Sequence, residues 1–310
     1  MVKFIRNSIF FLIIALIVGE IVVRITHVTS DLPRRTIDSY GIQKYFPNQT
    51  GYWKGGNHKW RVNELGWPGV LPDSYDNLIT VIGDSYIENF MNPDECHQSF
   101  FLKEKWKNYN FLEAGRSGVS FIEAMEISKQ LDSLNPKFNL IYVEESDFLE
   151  SIVEISPASD ITQLSLEKNK IIYGKMKSPV LKKILYNWKL LYYFYNRFPL
   201  SNPLKTIKEE GEVKDKVIKQ GFKFNDEVDK LINYVQSNYN IDDKVLIFKP
   251  NSNKIILKKF EEAGFKTILL NSENDKTWTF DYDSHWTCYG HKRAAEQLTK
   301  EIINKKYINP

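Results

Sequence analysis

Ser85 and His285 are the two side chains of this 310-residue chain whose surroundings best suit nucleophilic chemistry. Ser85 follows an apolar, β-branched run, Leu78–Ile82, and the turn residues Gly83-Asp84. Such a run predicts a buried strand, and reactions in open α/β sheets take place where strands end. A serine hydroxyl needs a base within hydrogen-bond reach, and Asp283 can orient His285 for that task within one loop. The two segments together predict ester chemistry.

Two further turns follow predicted strands and could complete such a site. Gly115 and Gly118 lie in the first turn, where glycines allow a backbone N–H to approach a developing oxyanion. The segment 143–147 ends the next strand, so that a polar side chain such as Ser146 would point into the same cleft. Each turn taken alone is also consistent with an ordinary connection between a strand and a helix.

The pattern of apolar residues predicts the elements that must position these groups. Five strands are expected at 78–82, 110–112, 138–143, 244–248 and 266–270, and helices at 96–106, 121–134, 252–263 and 288–303. Strands that alternate with helices form a parallel sheet with right-handed crossovers. The sequence therefore predicts a three-layer α/β domain over residues 77–310.

The N-terminal residues 1–29 form a separate region, which we interpret as an uncleaved membrane anchor. Ile9–Ile25 is almost wholly apolar, and Lys3 and Arg6 precede it. No small-residue cleavage site follows, which favours an uncleaved single-pass helix. Basic residues lie on both sides of the run, since Arg34 and Arg35 follow it, so the charges specify its orientation only weakly; we expect the bulk of the chain outside the cytoplasm. A buried core helix is the alternative.

Two other regions are irregular or inserted. Residues 30–76, rich in Pro, Gly, Asn and aromatic residues, read as a lead-in wrapped over the domain. An insertion at about 150–240, mostly helical in pattern, separates the third strand from the fourth. Its aromatic stripe between Leu181 and Phe198 either packs the insertion against its host or forms a sugar-stacking platform, and packing is favoured.

Composition excludes several classes of function. A net charge of +3 with scattered lysines argues against nucleic acid as a partner. The two cysteines, Cys96 and Cys288, fit no zinc spacing, and neither a metal nor an organic cofactor is expected. They could form a disulfide outside the cytoplasm, but two separate buried thiols are favoured.

The four motifs, in their order along the chain, resemble those of the SGNH (GDSL-type) hydrolase superfamily over roughly residues 60–148 and 243–305. The resemblance implies a flavodoxin-like, five-stranded parallel sheet. It also implies Ser85 as nucleophile and the backbone N–H groups of Ser85 and Gly118 as oxyanion donors, with Gly115 as the fallback for Gly118. Asp283-Ser284-His285-Trp286 looks like the Asp-x-His-Trp variant of membrane-linked members, including alginate-acetylation proteins; Asp281 is the fallback carboxylate.

The same resemblance implies an ester hydrolase or O-acyltransferase of the inner membrane. Its substrate would be an acyl, notably O-acetyl, ester of a cell-surface glycan or lipid, and its partners would belong to glycan-modification machinery. One departure matters, because Ser146 stands where the family has an asparagine that donates to the oxyanion, and Glu144 and Glu145 precede it. Loss of such a donor costs about 10²–10³ in rate. An inactive, membrane-tethered glycan-binding or assembly protein is therefore the alternative.

Overall fold

A computed structural model describes residues 1–176, 178–198 and 225–307. The strands are β1 (Arg35–Ile37), β2 (Gln43–Tyr45), β3 (Thr50–Tyr52), β4 (Lys59–Arg61), β5 (Leu78–Gly83), β6 (Asn110–Gly115), β7 (Phe138–Val143), β8 (Gln163–Ser165), β9 (Lys170–Ile172), β10 (Lys244–Phe248), β11 (Lys266–Leu269), β12 (Thr279–Phe280) and β13 (Asp283–Trp286). The α-helices are α1 (Val2–Thr26), α2 (Ser85–Glu88), α3 (Gln98–Lys105), α4 (Phe121–Leu131), α5 (Glu145–Glu150), α6 (Pro179–Asn187), α7 (Lys189–Arg197), α8 (Asn225–Asn238), α9 (Lys254–Glu262) and α10 (Cys288–Asn304).

The central sheet has five strands in the order β6-β5-β7-β10-β11, and every neighbouring pair is parallel. Numbered along the chain, this is the flavodoxin-like order 2-1-3-4-5. The predicted fold class is thus confirmed. The sequence pattern succeeds here because strands covered on both faces are apolar along nearly their whole length.

Helices cover both faces of this sheet. Alternate residues of β5 contribute to two separate clusters, with Leu78 and Ile82 on one side and Ile79 and Val81 on the other. The first cluster is completed by α4, α5, α8 and α9, and the second by α3 and α10. The result is the predicted three-layer arrangement, with β5, the strand that carries Ser85, in its interior.

The lead-in contains two small antiparallel sheets, β1–β2 and β3–β4, that the sequence did not predict. Each strand has only three residues, too short to show an alternating pattern. Tyr45 and Trp67 are each 1% exposed, so the lead-in packs on the domain.

The insertion differs from the prediction in two ways. It contains a β-hairpin, β8–β9, besides its helices, and its aromatic stripe is largely exposed. Residues 199–224 of the insertion lie outside the described part of the chain. The aromatic stripe does not pack against the host, because Leu190 is the one buried residue of α6 and α7, both fully described. Trp188 is 42% exposed and Phe198 63%. The prediction of a packed stripe was therefore wrong, since hydrophobicity alone does not reveal what covers a helix.

The N-terminal helix α1 is long and apolar enough to cross a membrane. Val23 is its one buried residue, so the alternative of a buried core helix is wrong.

Cys96 and Cys288 form a disulfide with their Cα atoms 4.9 Å apart. The preference for two separate thiols was therefore wrong. Cys96 lies just before α3 and Cys288 begins α10, and these two helices share the same face of the sheet. Because 192 positions separate the two cysteines, their adjacency depends on how the tertiary fold brings these two helices together.

Candidate active site

Ser85 is the first residue of α2, immediately beyond the carboxyl end of β5. The Asp84 carboxylate caps this helix by accepting a hydrogen bond from the backbone N–H of Tyr86 at 3.1 Å. Gly83 allows the sharp turn, because a Cβ there would lie 2.7 Å from Ile87 Cγ1. The turn leaves Ser85 partly exposed, and its hydroxyl makes no hydrogen bond within the described part of the chain.

His285 lies on the β12–β13 hairpin just before α10. Its Nδ1 contacts the Asp283 carboxylate, and its backbone N–H donates to the same oxygen at 2.9 Å. Partial burial opposes ionisation of Asp283, but these two hydrogen bonds outweigh it and hold the pKa of Asp283 below its ordinary value. A proton held on Nδ1 leaves Nε2 as the acceptor, which is the arrangement a general base needs. Asp281 is exposed and makes no hydrogen bond to His285, so Asp283 is the carboxylate that orients the imidazole.

Tyr86 joins the two segments that carry these groups. Its hydroxyl donates to the backbone carbonyl of Ser284 at 3.2 Å, and its ring centroid lies 5.1 Å from that of His285. Ser85 and His285 therefore come from distant parts of the chain to the same end of the sheet. No hydrogen bond joins their side chains among the described residues.

The loop after β6 carries the glycines that the sequence singles out. Gly115 pairs with Gly83 across the sheet, and a Cβ on it would lie 2.6 Å from the backbone nitrogen of Glu88 in α2. Gly118 has a φ of +77°, a conformation that favours glycine. Its N–H has no hydrogen-bond partner among the described residues, whereas the N–H of Ser117 donates to Glu88 at 2.8 Å. The N–H of Gly118 is therefore available to a ligand, as the donor role implied by the resemblance requires.

A buried arginine holds this loop in place. Arg116, fully buried, forms an ion pair with the equally buried Glu123. Its guanidinium also donates to the backbone carbonyls of Gln43 at 3.1 Å and Ser117 at 2.6 Å. Because a buried charge is costly unless its donors are satisfied, these bonds fix the loop firmly to the lead-in.

Ser146 is engaged elsewhere. It lies in the first turn of α5, and its hydroxyl donates to Glu144 Oε1 at 2.7 Å. A hydroxyl has a single hydrogen to donate, so this bond competes with the oxyanion role that the resemblance implies.

Lys249 is a component of the site that the sequence analysis missed. It follows β10 and is 9% exposed, and its ammonium forms an ion pair with Glu144. Its Nζ also lies 3.5 Å from the ring centroid of Tyr86, a favourable cation–π position. Its position directly after a predicted strand was the available signal, but a single lysine is inconspicuous in a lysine-rich chain.

This ammonium faces three carboxyl groups. Oxygens of Asp84, Glu144 and Asp147 lie within 4.8 Å of one another. Burial alone would lower the pKa of Lys249, but the charges of Asp84 and Glu144 outweigh it and raise that pKa. Burial and the neighbouring carboxylates raise the pKa of Asp147 well above its ordinary value. Carboxyls so arranged can hold a cation, and here the cation beside them is the ammonium of Lys249.

Two aromatic residues near the base are structural. Trp286 is 3% exposed and belongs to the core cluster under α10. His291 is 1% exposed and receives a hydrogen bond of 3.1 Å from Gln98. Burial, together with the charges of His97 and His285, lowers the pKa of His291 to about 3.

A cleft of about 880 Å³ lies between the lead-in and α6. It reaches Glu88 and Ser117, the two residues that link α2 to the glycine loop. Arg34, Arg35, Lys182 and Lys183 give it a basic wall. Neither Ser85 nor His285 is among its lining residues, so the cleft adjoins the candidate site rather than enclosing it.

No protein-family model and no curated protein matches this chain. Solved structures similar to it include a psychrotrophic esterase, EstA, from Pseudoalteromonas sp., at 12% identity and a TM-score of 0.40, covering 75% of this chain and 100% of the other. A lipolytic protein of the G-D-S-L family from Desulfitobacterium hafniense is similar at 12% identity and a TM-score of 0.35, covering 72% and 98%. A GDSL-like lipase from Bacteroides ovatus is similar at 12% identity and a TM-score of 0.36, covering 74% and 98%.

Proposed function

We propose that this chain is a membrane-anchored serine ester hydrolase of the SGNH type. Its substrate is an acyl ester, notably an O-acetyl ester, of a cell-surface glycan or lipid. The observation that carries the proposal is the Asp283–His285 pair, which is tied to Tyr86, the residue directly after Ser85, through the backbone carbonyl of Ser284. In this proposal Ser85 is the nucleophile, His285 the base and Asp283 the group that orients the base.

The reaction follows from these positions. Ser85 Oγ attacks the ester carbonyl while His285 Nε2 takes the hydroxyl proton, and Asp283 stabilises the resulting imidazolium. The tetrahedral intermediate collapses to an acyl-serine, and His285 returns the proton to the leaving alcohol. Because catalytic hydrogen bonds often tighten only when substrate binds, the missing bond between Ser85 and His285 is compatible with this role.

Backbone groups stabilise the oxyanion in this scheme. The N–H groups of Ser85 and Gly118 donate to it, the latter having no other partner among the described residues. Ser146 can contribute only after its hydroxyl leaves Glu144. Lys249 offsets the negative charge of Glu144, which would otherwise oppose a developing oxyanion nearby.

The acceptor of the acyl group determines the product. With water the acyl-serine is hydrolysed and the protein is an esterase. With a sugar hydroxyl the acyl group is transferred and the protein is an O-acyltransferase that works with glycan-modification machinery. The same residues serve both reactions.

A location outside the cytoplasm, with α1 in the inner membrane, accords with the disulfide. Cys96 and Cys288 are bonded, and disulfides persist in oxidising compartments. A C-terminal alkaline phosphatase fusion tests this orientation, since that enzyme is active only outside the cytoplasm; an inactive fusion contradicts it.

Hydrolysis of p-nitrophenyl acetate by the full chain in detergent micelles tests the enzyme proposal. We expect Ser85→Ala and His285→Ala to fall to the background rate. Ser284→Ala, a change to an exposed neighbour of the base, should keep the wild-type rate. Mass spectrometry should find the acyl group on Ser85 in the wild type and not in Ser85→Ala.

The second candidate is an inactive, membrane-tethered glycan-binding or assembly protein. The bond from Ser146 to Glu144 favours it, because the pocket then lacks a side-chain oxyanion donor. Equal rates for wild type and Ser85→Ala would support this candidate and overturn the enzyme proposal.

A further inference from the structure

We infer that α6 and α7 form a hairpin that lies in the lipid–water interface of the membrane crossed by α1. The inference rests on the anchor in the proposed function and adds a second membrane contact to it. In this inference, lipid contacts the exposed apolar face of the hairpin.

Direct contacts join the hairpin to the end of α1. The Glu20 carboxylate accepts hydrogen bonds from the backbone N–H groups of Lys189 at 3.2 Å and Leu190 at 2.7 Å, so it caps α7. Arg24 donates to the carbonyl of Asn187, the last residue of α6, at 2.7 Å. The corner of the hairpin is thus held by two charged residues of the anchor.

The position of this corner along α1 fixes its depth. A helix rises about 1.5 Å per residue, so Glu20 lies only about 9 Å before the helix end at Thr26. The 25 residues of α1 span about 37 Å, more than the roughly 30 Å of a bilayer's hydrocarbon core. The last turns of α1, and the hairpin corner with them, therefore lie near the membrane surface.

The hairpin has the composition of an interfacial helix pair. Eight large apolar side chains of residues 178–198 are at least one-third exposed: Val180, Leu181, Ile184, Trp188, Leu191, Phe194, Tyr195 and Phe198. Monomeric soluble proteins rarely expose so many contiguous apolar groups, and amphipathic helices that do so lie in the headgroup region. Trp188 sits at the corner, where aromatic rings favour the interface.

Cationic residues fasten the other side of the hairpin to the domain. Lys189 pairs with Asp31 of the lead-in at 2.7 Å, and Lys182 pairs with Asp160 at 3.3 Å. A second copy of the chain or another protein would have to cover a face beside α1, because Leu190 of α7 lies against Gly19 of α1 and the apolar side chains of α1 are largely exposed. Lipid meets both surfaces at once, which favours it over a protein partner.

This placement has a consequence for the substrate. The basic cleft shares Val180, Lys182, Lys183 and Tyr186 with α6, so it opens beside the membrane surface. An ester attached to a lipid, or to a glycan close to the bilayer, would reach the site from there.

Spin labels on the full chain in phosphatidylglycerol–phosphatidylethanolamine nanodiscs test the inference. The chain's only cysteines are the bonded Cys96 and Cys288, so one introduced cysteine gives one label. We choose Leu181→Cys on α6, Phe194→Cys on α7, Ile13→Cys within α1, and Lys258→Cys, whose side chain is 74% exposed on α9. Collision rates with oxygen, which concentrates in lipid, and with a water-soluble nickel chelate report the surroundings of each label.

We expect the labels at 181 and 194 to favour oxygen over the nickel chelate, as the label at 13 does, and the label at 258 to show the reverse. Labels at 181 and 194 that behave like 258 would show that the hairpin faces water and overturn the inference. Labels protected from both reagents would show that protein covers the face, and would overturn it as well.

The label at 13 distinguishes a hairpin that lies outside the interface from an α1 helix that does not cross the membrane. Water-like collision rates at 13 would contradict the membrane span itself, and with it the hairpin's placement. Ester hydrolysis by the same labelled variants reports the active site independently.

Discussion

The phenol of Tyr86 donates a hydrogen bond of 3.2 Å to the backbone carbonyl of Ser284. The residue after the candidate nucleophile is thereby tied to the residue before the candidate base. Ser85 and His285 come from opposite ends of the domain sequence, and this bond and the adjacent ring contact join the two segments that carry them. We therefore predict that Tyr86 is a positioning residue.

Tyr86→Phe should lower kcat/KM for p-nitrophenyl acetate by roughly tenfold to a hundredfold, because small misplacements of reacting groups are costly. The ring remains for Lys249 and His285 to pack on, so unfolding free energy should fall by only about 1 kcal/mol. Steady-state kinetics and chemical denaturation measure the two effects. An unfolding free energy that falls while kcat/KM stays at the wild-type value would show that the hydroxyl is structural only.

Asp283→Asn should lower kcat by about 10⁴, since an amide can stabilise the wrong imidazole tautomer. Asp281→Asn is the matched control and should leave kcat unchanged, because Asp281 makes no hydrogen bond to His285 within the described chain. Kinetics of both variants decide between the carboxylates. The opposite ranking would transfer the orienting role to Asp281.

Lys249→Met should destabilise the protein by about 3–5 kcal/mol, because it leaves Glu144 and Asp84 without their cation. Adding Glu144→Gln should recover much of the loss by removing one of the carboxylates. Lys258→Met, at an exposed position, should change stability by less than about 0.5 kcal/mol. Urea unfolding in micelles measures the free energy of unfolding of all three variants. Equal losses for Lys249→Met and Lys258→Met would contradict the claim that Lys249 neutralises the neighbouring carboxylates.

The sheet was predictable from the sequence because its strands are short apolar runs bounded by turns. The bounds of β7 and β10 agree with the prediction to the residue, while β6 extends to Gly115 beyond the predicted 112. That extension contains Glu113, a charged residue that the apolar pattern excludes. Glu113 is nonetheless 3% exposed, because it pairs with the buried His97.

The site was predictable only where a motif had its partner within a few residues. Asp283 and His285 lie two positions apart, so their contact could be expected from one loop. Lys249 meets Glu144 and Tyr86 only because three strands end at the same edge, and its partners lie more than 100 positions away. Ser146 was predicted to end the third strand, but it lies in the first turn of α5, and its hydroxyl donates to Glu144. No sequence motif specifies that bond.

The pKa of His291, lowered to about 3, should make the protein acid-sensitive below neutrality. The unfolded chain takes up a proton as pH falls through the ordinary value of about 6.5, whereas the folded chain does not until about pH 3. The contribution of neutral His291 to the free energy of unfolding is therefore fully present above pH 6.5, and it declines as the pH falls toward 3. By linkage, the decline between pH 6.5 and 5 is about 2 kcal/mol.

His291→Gln removes this titration and should make the loss of unfolding free energy between pH 7 and pH 5 smaller by about 2 kcal/mol. His97 acts in the opposite sense, since Glu113 outweighs burial and raises the pKa of His97, but it is present in both proteins and cancels in the comparison. Urea unfolding at the two pH values provides the measurement. The same pH dependence in wild type and variant would mean that His291 takes up its proton in the folded chain.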